Sequence, residues 1–211
     1  MSLSQQSPID LSNPVVANFG KNKLAIKWKK TAKGTIVNDE HGVHVEFEPD
    51  ERQFIKLDQK QFQLVQFHFH HPSEHRVDGV QQTMELHVVH QNTEDGSRAV
   101  IGVFIEPTSK SKLVPSLIPE LKRFLEVKDG EPDPNISTNP LEWLPEDMKK
   151  YYRYEGSLTT PEYDENVSWV VLREPSKLSK KELMKLIPFL QHPARETYPL
   201  NRRFVLANFK Q

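Results

Sequence analysis

The chain has 211 residues, with 28 Lys+Arg against 29 Asp+Glu and a formal net charge of −1. That length encloses a sizeable core, and the balanced charge gives no electrostatic footprint for nucleic acid or an anionic membrane. No apolar run approaches the roughly 20 residues that span a bilayer. The absence of cysteine excludes a disulfide framework, a thiolate metal site and a cysteine nucleophile.

In chain order, short β-like runs dominate: Leu24 to Trp28, Val43 to Glu48, Phe62 to His70, Thr83 to His90, Ala99 to Glu106, Val167 to Arg173 and Phe204 to Asn208. Turn residues such as Pro49-Asp50 and Thr93-Glu-Asp-Gly96 separate them, as in a sheet-rich domain. Two helices interrupt the pattern. Pro115 to Val127 sets Leu117, Leu121, Phe124 and Leu125 on one face. Leu178 to Leu190 carries Ser179 and Glu182 at capping-box spacing, and Pro188 should disturb its last turn. Asp129 to Pro140 reads as a long loop. There is no internal repeat and no interdomain linker, so the chain reads as one sheet-dominated domain with peripheral helices.

Nine histidines are present, and six of them (His68, His70, His71, His75, His87 and His90) lie between positions 68 and 90. In Gln66-Phe-His-Phe-His70, polar and aromatic residues alternate with the period of a strand, so Gln66, His68 and His70 share a face while Phe67 and Phe69 turn into packing. In Glu85-Leu-His-Val-Val89, Glu85, His87 and Val89 share a face. A lone strand histidine is more often packed core than ligand. If these two strands are neighbours, however, three imidazoles converge, and three neutral imidazoles with an open fourth position are the ligand set of a catalytic zinc. Gln66 and Glu85 are acceptors of the kind that fix an imidazole's tautomer. A second reading stays open: His68, His70 and Glu74 also resemble the first metal motif of cupins, with Glu74 as a ligand to iron or manganese. The glycine that this motif requires falls on Phe62, and its second motif is not found around His87.

The string Gln66-Phe-His-Phe-His-His-Pro-Ser-Glu-His75, followed by Glu85-Leu-His-Val-Val-His90 and Gly156-Ser-Leu-Thr-Thr-Pro161, resembles the α-class carbonic anhydrases, bacterial or plant members in particular. Gln6-Ser-Pro-Ile-Asp10, Val45-Glu-Phe47, Ala99-Val-Ile-Gly-Val-Phe104, Trp169-Val-Val-Leu172 and Pro199-Leu-Asn-Arg202 extend the match in order from about Gln6 to Phe209. The resemblance implies a predominantly β, α+β fold: a single domain on a large twisted, mainly antiparallel central sheet with short peripheral helices. It implies a disordered or non-native N-terminus over residues 1–5 and the domain over 6–211.

By the same resemblance, His68, His70 and His87 hold one Zn²⁺ ion, and zinc-bound hydroxide converts CO₂ reversibly to bicarbonate and a proton. Gln66 and Glu85 support the ligands, Thr159 and Glu74 orient the hydroxide, and His41 shuttles protons, with His44 standing where an asparagine is usual. Val89, Val100, Leu158, Val167 and Trp169 form an apolar wall for CO₂, and Thr160 helps to position bicarbonate. Sulfonamides and small anions are the implied inhibitors. A monomer or homodimer without nucleic-acid or membrane partners, in the periplasm or secreted after loss of a leader, is the implied setting. The chain departs from the pattern at Tyr163, where many bacterial members have a cysteine, at Glu162, which replaces a proline, and at Arg98, where a pocket leucine is common. A non-catalytic module on the same scaffold would have lost zinc histidines, and here all three are present.

Overall fold

The alternating runs pair into one sheet because each carries apolar side chains on at least one face and leaves its backbone groups to a neighbour. The computed structural model describes residues 4–39, 42–111, 113–126, 133–190 and 193–210. In chain order its strands begin with β1 (Val15–Val16), β2 (Ala25–Lys27), β3 (Ala32–Asp39), β4 (Gly42–Phe47), β5 (Phe54–Leu57) and β6 (Lys60–His70). They continue with β7 (Arg76–Val77), β8 (Val80–Gln81), β9 (Met84–Gln91), β10 (Arg98–Thr108) and β11 (Asn135–Thr138). The last four are β12 (Tyr151–Gly156), β13 (Val167–Leu172), β14 (Ser176–Ser179) and β15 (Leu206–Ala207), and the helices are α1 (Leu117–Leu125) and α2 (Lys180–Leu186).

Thirteen strands form the main sheet, whose path runs β1-β15-β12-β13-β10-β9-β6-β4-β3-β11. β14 pairs with β10, β5 with β6 and β2 with β5 off that path, and β7 and β8 form a separate hairpin. The pairings are mainly antiparallel; β10 runs parallel to β13 and β14, and β1 runs parallel to β15.

Alternation sorts the sheet into two apolar faces. Ala99, Ile101, Val103 and Ile105 of β10 join the larger cluster, along with Leu86 and Val88 of β9 and Leu117, Leu121 and Leu183 of the helices. Val89, Val100, Phe104 and Trp169 belong to a smaller cluster on the other face. Each fully buried aliphatic or aromatic side chain contributes about 1.5–3 kcal/mol. β6 keeps Phe62, Leu64, Phe67 and Phe69 all in the larger cluster although their spacing changes parity. A register shift between Leu64 and Gln66 makes this possible: Val65 is the extra residue of a β-bulge.

Several boundaries differ from the sequence expectation. Leu178 and Ser179 close β14, and the helix begins at Lys180 with the Ser179 side chain accepting from the Glu182 backbone N–H at 3.2 Å. Ile187–Phe189 tightens into a 3₁₀ turn containing Pro188, which has no N–H for an α-helical bond. The expected loop contains β11, where buried Ile136 docks through a ladder with β3. α1 covers only the middle of the expected Pro115 to Val127, and Val127 lies outside the described residues. The last expected strand shortens to Leu206–Ala207.

Candidate metal centre

β6 and β9 are antiparallel neighbours, with His68 directly opposite His87 and His70 opposite Glu85. Side chains at alternate positions share a face, so the register brings the three imidazoles together. Their ring centroids are 4.9 Å apart for His68–His70, 5.3 Å for His68–His87 and 4.6 Å for His70–His87. One nitrogen from each lies within 4.8 Å of the other two.

Hydrogen bonds around the trio set which nitrogen faces inward. His68 Nδ1 is 3.1 Å from Gln66 Oε1, an acceptor, so Nδ1 carries the proton and Nε2 keeps its lone pair. Nε2 is buried and has no hydrogen-bond partner among the described residues. Burial, reinforced by the neighbouring histidines, holds the His68 pKa well below the ordinary imidazole value. The side chain is therefore neutral, the form that binds metal. His87 Nε2 lies 3.0 Å from Glu85 Oε1, which leaves Nδ1 as its metal-facing atom.

Glu85 is wholly buried, and four groups converge on it. Its Oε2 accepts from the backbone N–H of Glu74 (3.0 Å) and His75 (2.9 Å), and its Oε1 lies 2.7 Å from His75 Nδ1 in addition to the His87 contact. Burial alone would raise its pKa, but the charges of His75 and His87 and their hydrogen bonds carry it well below the usual value. Burial likewise opposes protonation of His87, and the Glu85 carboxylate outweighs it and lifts that pKa. His75 Nε2 is 2.7 Å from the Tyr154 hydroxyl, which is 2.8 Å from Ser7 Oγ. With both ring nitrogens occupied, His75 is a bracing residue behind the trio.

Glu74 is 2% exposed. Its Oε1 accepts from the Arg195 backbone N–H at 2.9 Å, and its Oε2 sits 3.5 Å from His70 Nε2 and 3.8 Å from His87 Nδ1. Burial raises its pKa, against the pull of His87, a hydrogen bond with the Thr159 side chain and the Arg195 N–H. Glu74 is not part of the compact nitrogen trio, as a cupin-like fourth ligand would be.

His68 and His87 open into a cavity of about 290 Å³ lined also by Val89, Val100, Leu158, Thr159, Thr160 and Trp169. Val167 is buried in the same apolar cluster, behind this lining. Trp169 packs edge-on against His87 at 4.8 Å and donates from Nε1 to the Ser157 carbonyl at 2.9 Å, tying the Thr159 loop to β13. His44, opposite His68 on β4, also lines the cavity, 3.9 Å from Asp39 and 3.7 Å from Glu46. His41 lies outside the described residues.

Sequence reasoning assigned no role to His75, Tyr154, Ser7 or the Arg195 backbone. His75 had a signal in its place next to Glu74 in the histidine string. The others are brought in by hydrogen bonds between residues 79 to 188 positions apart along the chain.

Three imidazole nitrogens, one an orphaned buried lone pair, beneath an apolar cavity fit a borderline divalent ion such as zinc. The fold and this donor set define a β-sheet protein with three histidines placed so that they could hold a metal ion. A family model described as eukaryotic-type carbonic anhydrase matches residues 2–209. A carbonic anhydrase of Nostoc sp. is 33% identical over 205 residues, covering 96% of this chain and 75% of that one. The α-carbonic anhydrase structure from Photobacterium profundum superposes with a TM-score of 0.78 at 32% identity, covering 96% of this chain and 88% of that one. The Thermovibrio ammonificans enzyme, solved with the inhibitor sulfanilamide, gives 0.77 at 35% identity over 96% of this chain and 86% of its own. The chain belongs to the carbonic anhydrase family, and its enzymatic class is that of the family.

Proposed function

We propose that the chain hydrates CO₂ reversibly to bicarbonate and a proton with one zinc ion held by His68, His70 and His87. The observation that carries this reading is the convergence of three imidazoles with a buried, unpartnered His68 Nε2 at the floor of the cavity. Bound zinc supplies a Lewis acid that lowers the pKa of a coordinated water from 15.7 to near 7. Gln66 and Glu85 hold the imidazoles in the tautomers that ligation needs. Ionised Glu74 can only accept a hydrogen bond, so the Thr159 hydroxyl proton points at it and the Thr159 oxygen is left to accept from the reacting group. Val89, Val100, Leu158 and Trp169, backed by Val167, offer CO₂ a surface that asks for no hydrogen bond, while Thr160 offers bicarbonate a polar edge.

The released proton passes to solvent through His41, an imidazole whose ordinary pKa lies near neutrality. Sulfonamides and small anions inhibit by competing at the same centre, a reading supported by the sulfanilamide complex of the Thermovibrio enzyme. Among the described residues no helix is long and apolar enough to cross a membrane, and the periplasm or extracellular space is the proposed location. The test is metal analysis of the purified protein beside His87→Ala. One zinc per chain, lost together with CO₂ hydration in the variant, is expected. Stoichiometric zinc and full activity in His87→Ala would overturn the assignment.

A further inference from the structure

The cavity wall runs outward along β9 and β10 in steps fixed by their register: His87 opposite Gly102, Val89 opposite Val100, Gln91 opposite Arg98. Alternate residues share a face, so Arg98 stands one step beyond apolar Val100. It is roughly 13 Å along the strand from the level of His87 at about 3.3 Å per residue. Its side chain lines the same cavity. Asp164 and Asn166 accept from Nη1 at 3.1 and 3.2 Å, and among the described residues no group accepts from Nη2 or Nε.

The opposite side of the cavity has the other sign. Asp39 and Glu46 line it from β3 and β4, four and three places along the sheet from β10. The mouth is therefore polarised, carboxylates on one wall and a guanidinium on the other. A guanidinium presents a planar fork of donors that matches planar oxyanions such as carboxylate and bicarbonate. A side chain placed there only for packing against Val100 would need no such fork.

We propose that Arg98 forms an anion-recognising subsite at the outer end of the β10 wall, specific for planar oxyanions in a cavity whose far wall repels them. This rests on the zinc reading above. Asp164 pre-orients the guanidinium and offsets part of its charge, and the pair is partly exposed, so the gain falls in the range of surface ion pairs.

Isothermal calorimetry on the zinc-loaded protein tests it with two ligands that differ at the para position, sulfanilamide (neutral) and 4-sulfamoylbenzoate (carboxylate). Differences intrinsic to the ligands cancel when the ratio of their affinities is compared between the wild type and Arg98→Leu. The expected result is a roughly two- to fivefold loss of the carboxylate's relative affinity in Arg98→Leu. Sulfanilamide binding should be retained, Arg98→Lys should keep part of the effect, and the difference should shrink at high salt. Equal weakening of both ligands would mean that Arg98 only straps the Thr159 loop through Asp164 and Asn166, and no change in either would mean that it does not meet the ligand. Both results overturn the subsite. Failure of the wild type to bind sulfanilamide at all would instead bring down the zinc reading, and the subsite with it.

Discussion

Replacing Gly102 with alanine probes how tightly the metal trio depends on its support. Gly102 sits opposite His87 in the β9–β10 ladder, and a Cβ there would stand 2.8 Å from Glu85 Oε1 and 3.3 Å from Val171 Cγ2. Ordinary contact begins near 3.4 Å, so the carboxylate must retreat by about 0.6 Å. A free glutamate would swing aside at little cost, but this one is fixed by His75, His87 and two backbone N–H groups. A shift of that size carries contacts of 2.7–3.0 Å past the roughly 3.2 Å limit of a good N–H···O bond. Disturbing the partner of a ligating histidine costs about 10- to 100-fold in metal affinity, and overpacking a core costs about 1–3 kcal/mol. Zinc affinity measured by competition with a chromophoric chelator should fall in that range, and the urea midpoint should drop. If Gly102→Ala binds zinc within twofold of the wild type and unfolds at the same urea concentration, the argument that Glu85 is immobile fails.

Thr159→Ala leaves all zinc ligands in place, so zinc content should be unchanged while kcat falls about 10²-fold; an unchanged kcat near pH 8 would remove the Thr159–Glu74 role. His90 is buried with Nε2 accepting from Trp28 Nε1 at 3.2 Å, and burial pushes its pKa down from 6.5 to about 3. The unfolded chain therefore binds a proton that the native state refuses between those values, and stability falls as pH drops below 6.5, by about 1.4 kcal/mol per unit. Unfolding free energies from urea titrations at pH 7 and pH 5 should differ by about 2 kcal/mol more in the wild type than in His90→Gln, and equal differences would refute this. His41→Ala should slow CO₂ hydration in dilute, poorly transferring buffer and recover with added imidazole, and loss confined to His44→Ala would move the shuttle to His44.

The convergence of the three histidines was legible because histidines in an aromatic, alternating strand break the usual burial preference, and the i, i+2 rule then puts His68 and His70 on one face. What came from far away along the chain was not. The apolar pattern of β3 is interrupted by Lys33 and Gly34, and Gly34 is required by the close approach of the Glu46 carbonyl, which only pairing with β4 reveals. β12 reads as a mixed run of Tyr, Arg and Glu because it is buried by β13 and β15, which lie outside its own sequence. β11 carries four residues, and its ladder with β3 rather than any local propensity makes it a strand. Arg195 contributes to Glu74 through its backbone, which no side-chain pattern can announce.

The bulge at Val65 makes β6 a splice between two reading frames. Before it, even-numbered Phe62 and Leu64 face the larger core; after it, even-numbered Gln66 and His68 face the cavity and His70 shares their side of the strand. Length changes in this strand are therefore not equivalent. Removing Val65 joins the frames into an unbroken alternation and leaves Phe62, Leu64, Phe67 and Phe69 in the core with His68 and His70 still facing the cavity. Removing Phe69 instead makes His68 and His70 immediate neighbours, and an alternating strand sends neighbours to opposite faces. A single strand thus holds one position where a deletion is silent in phase and, four residues away, another where it would part the two histidines.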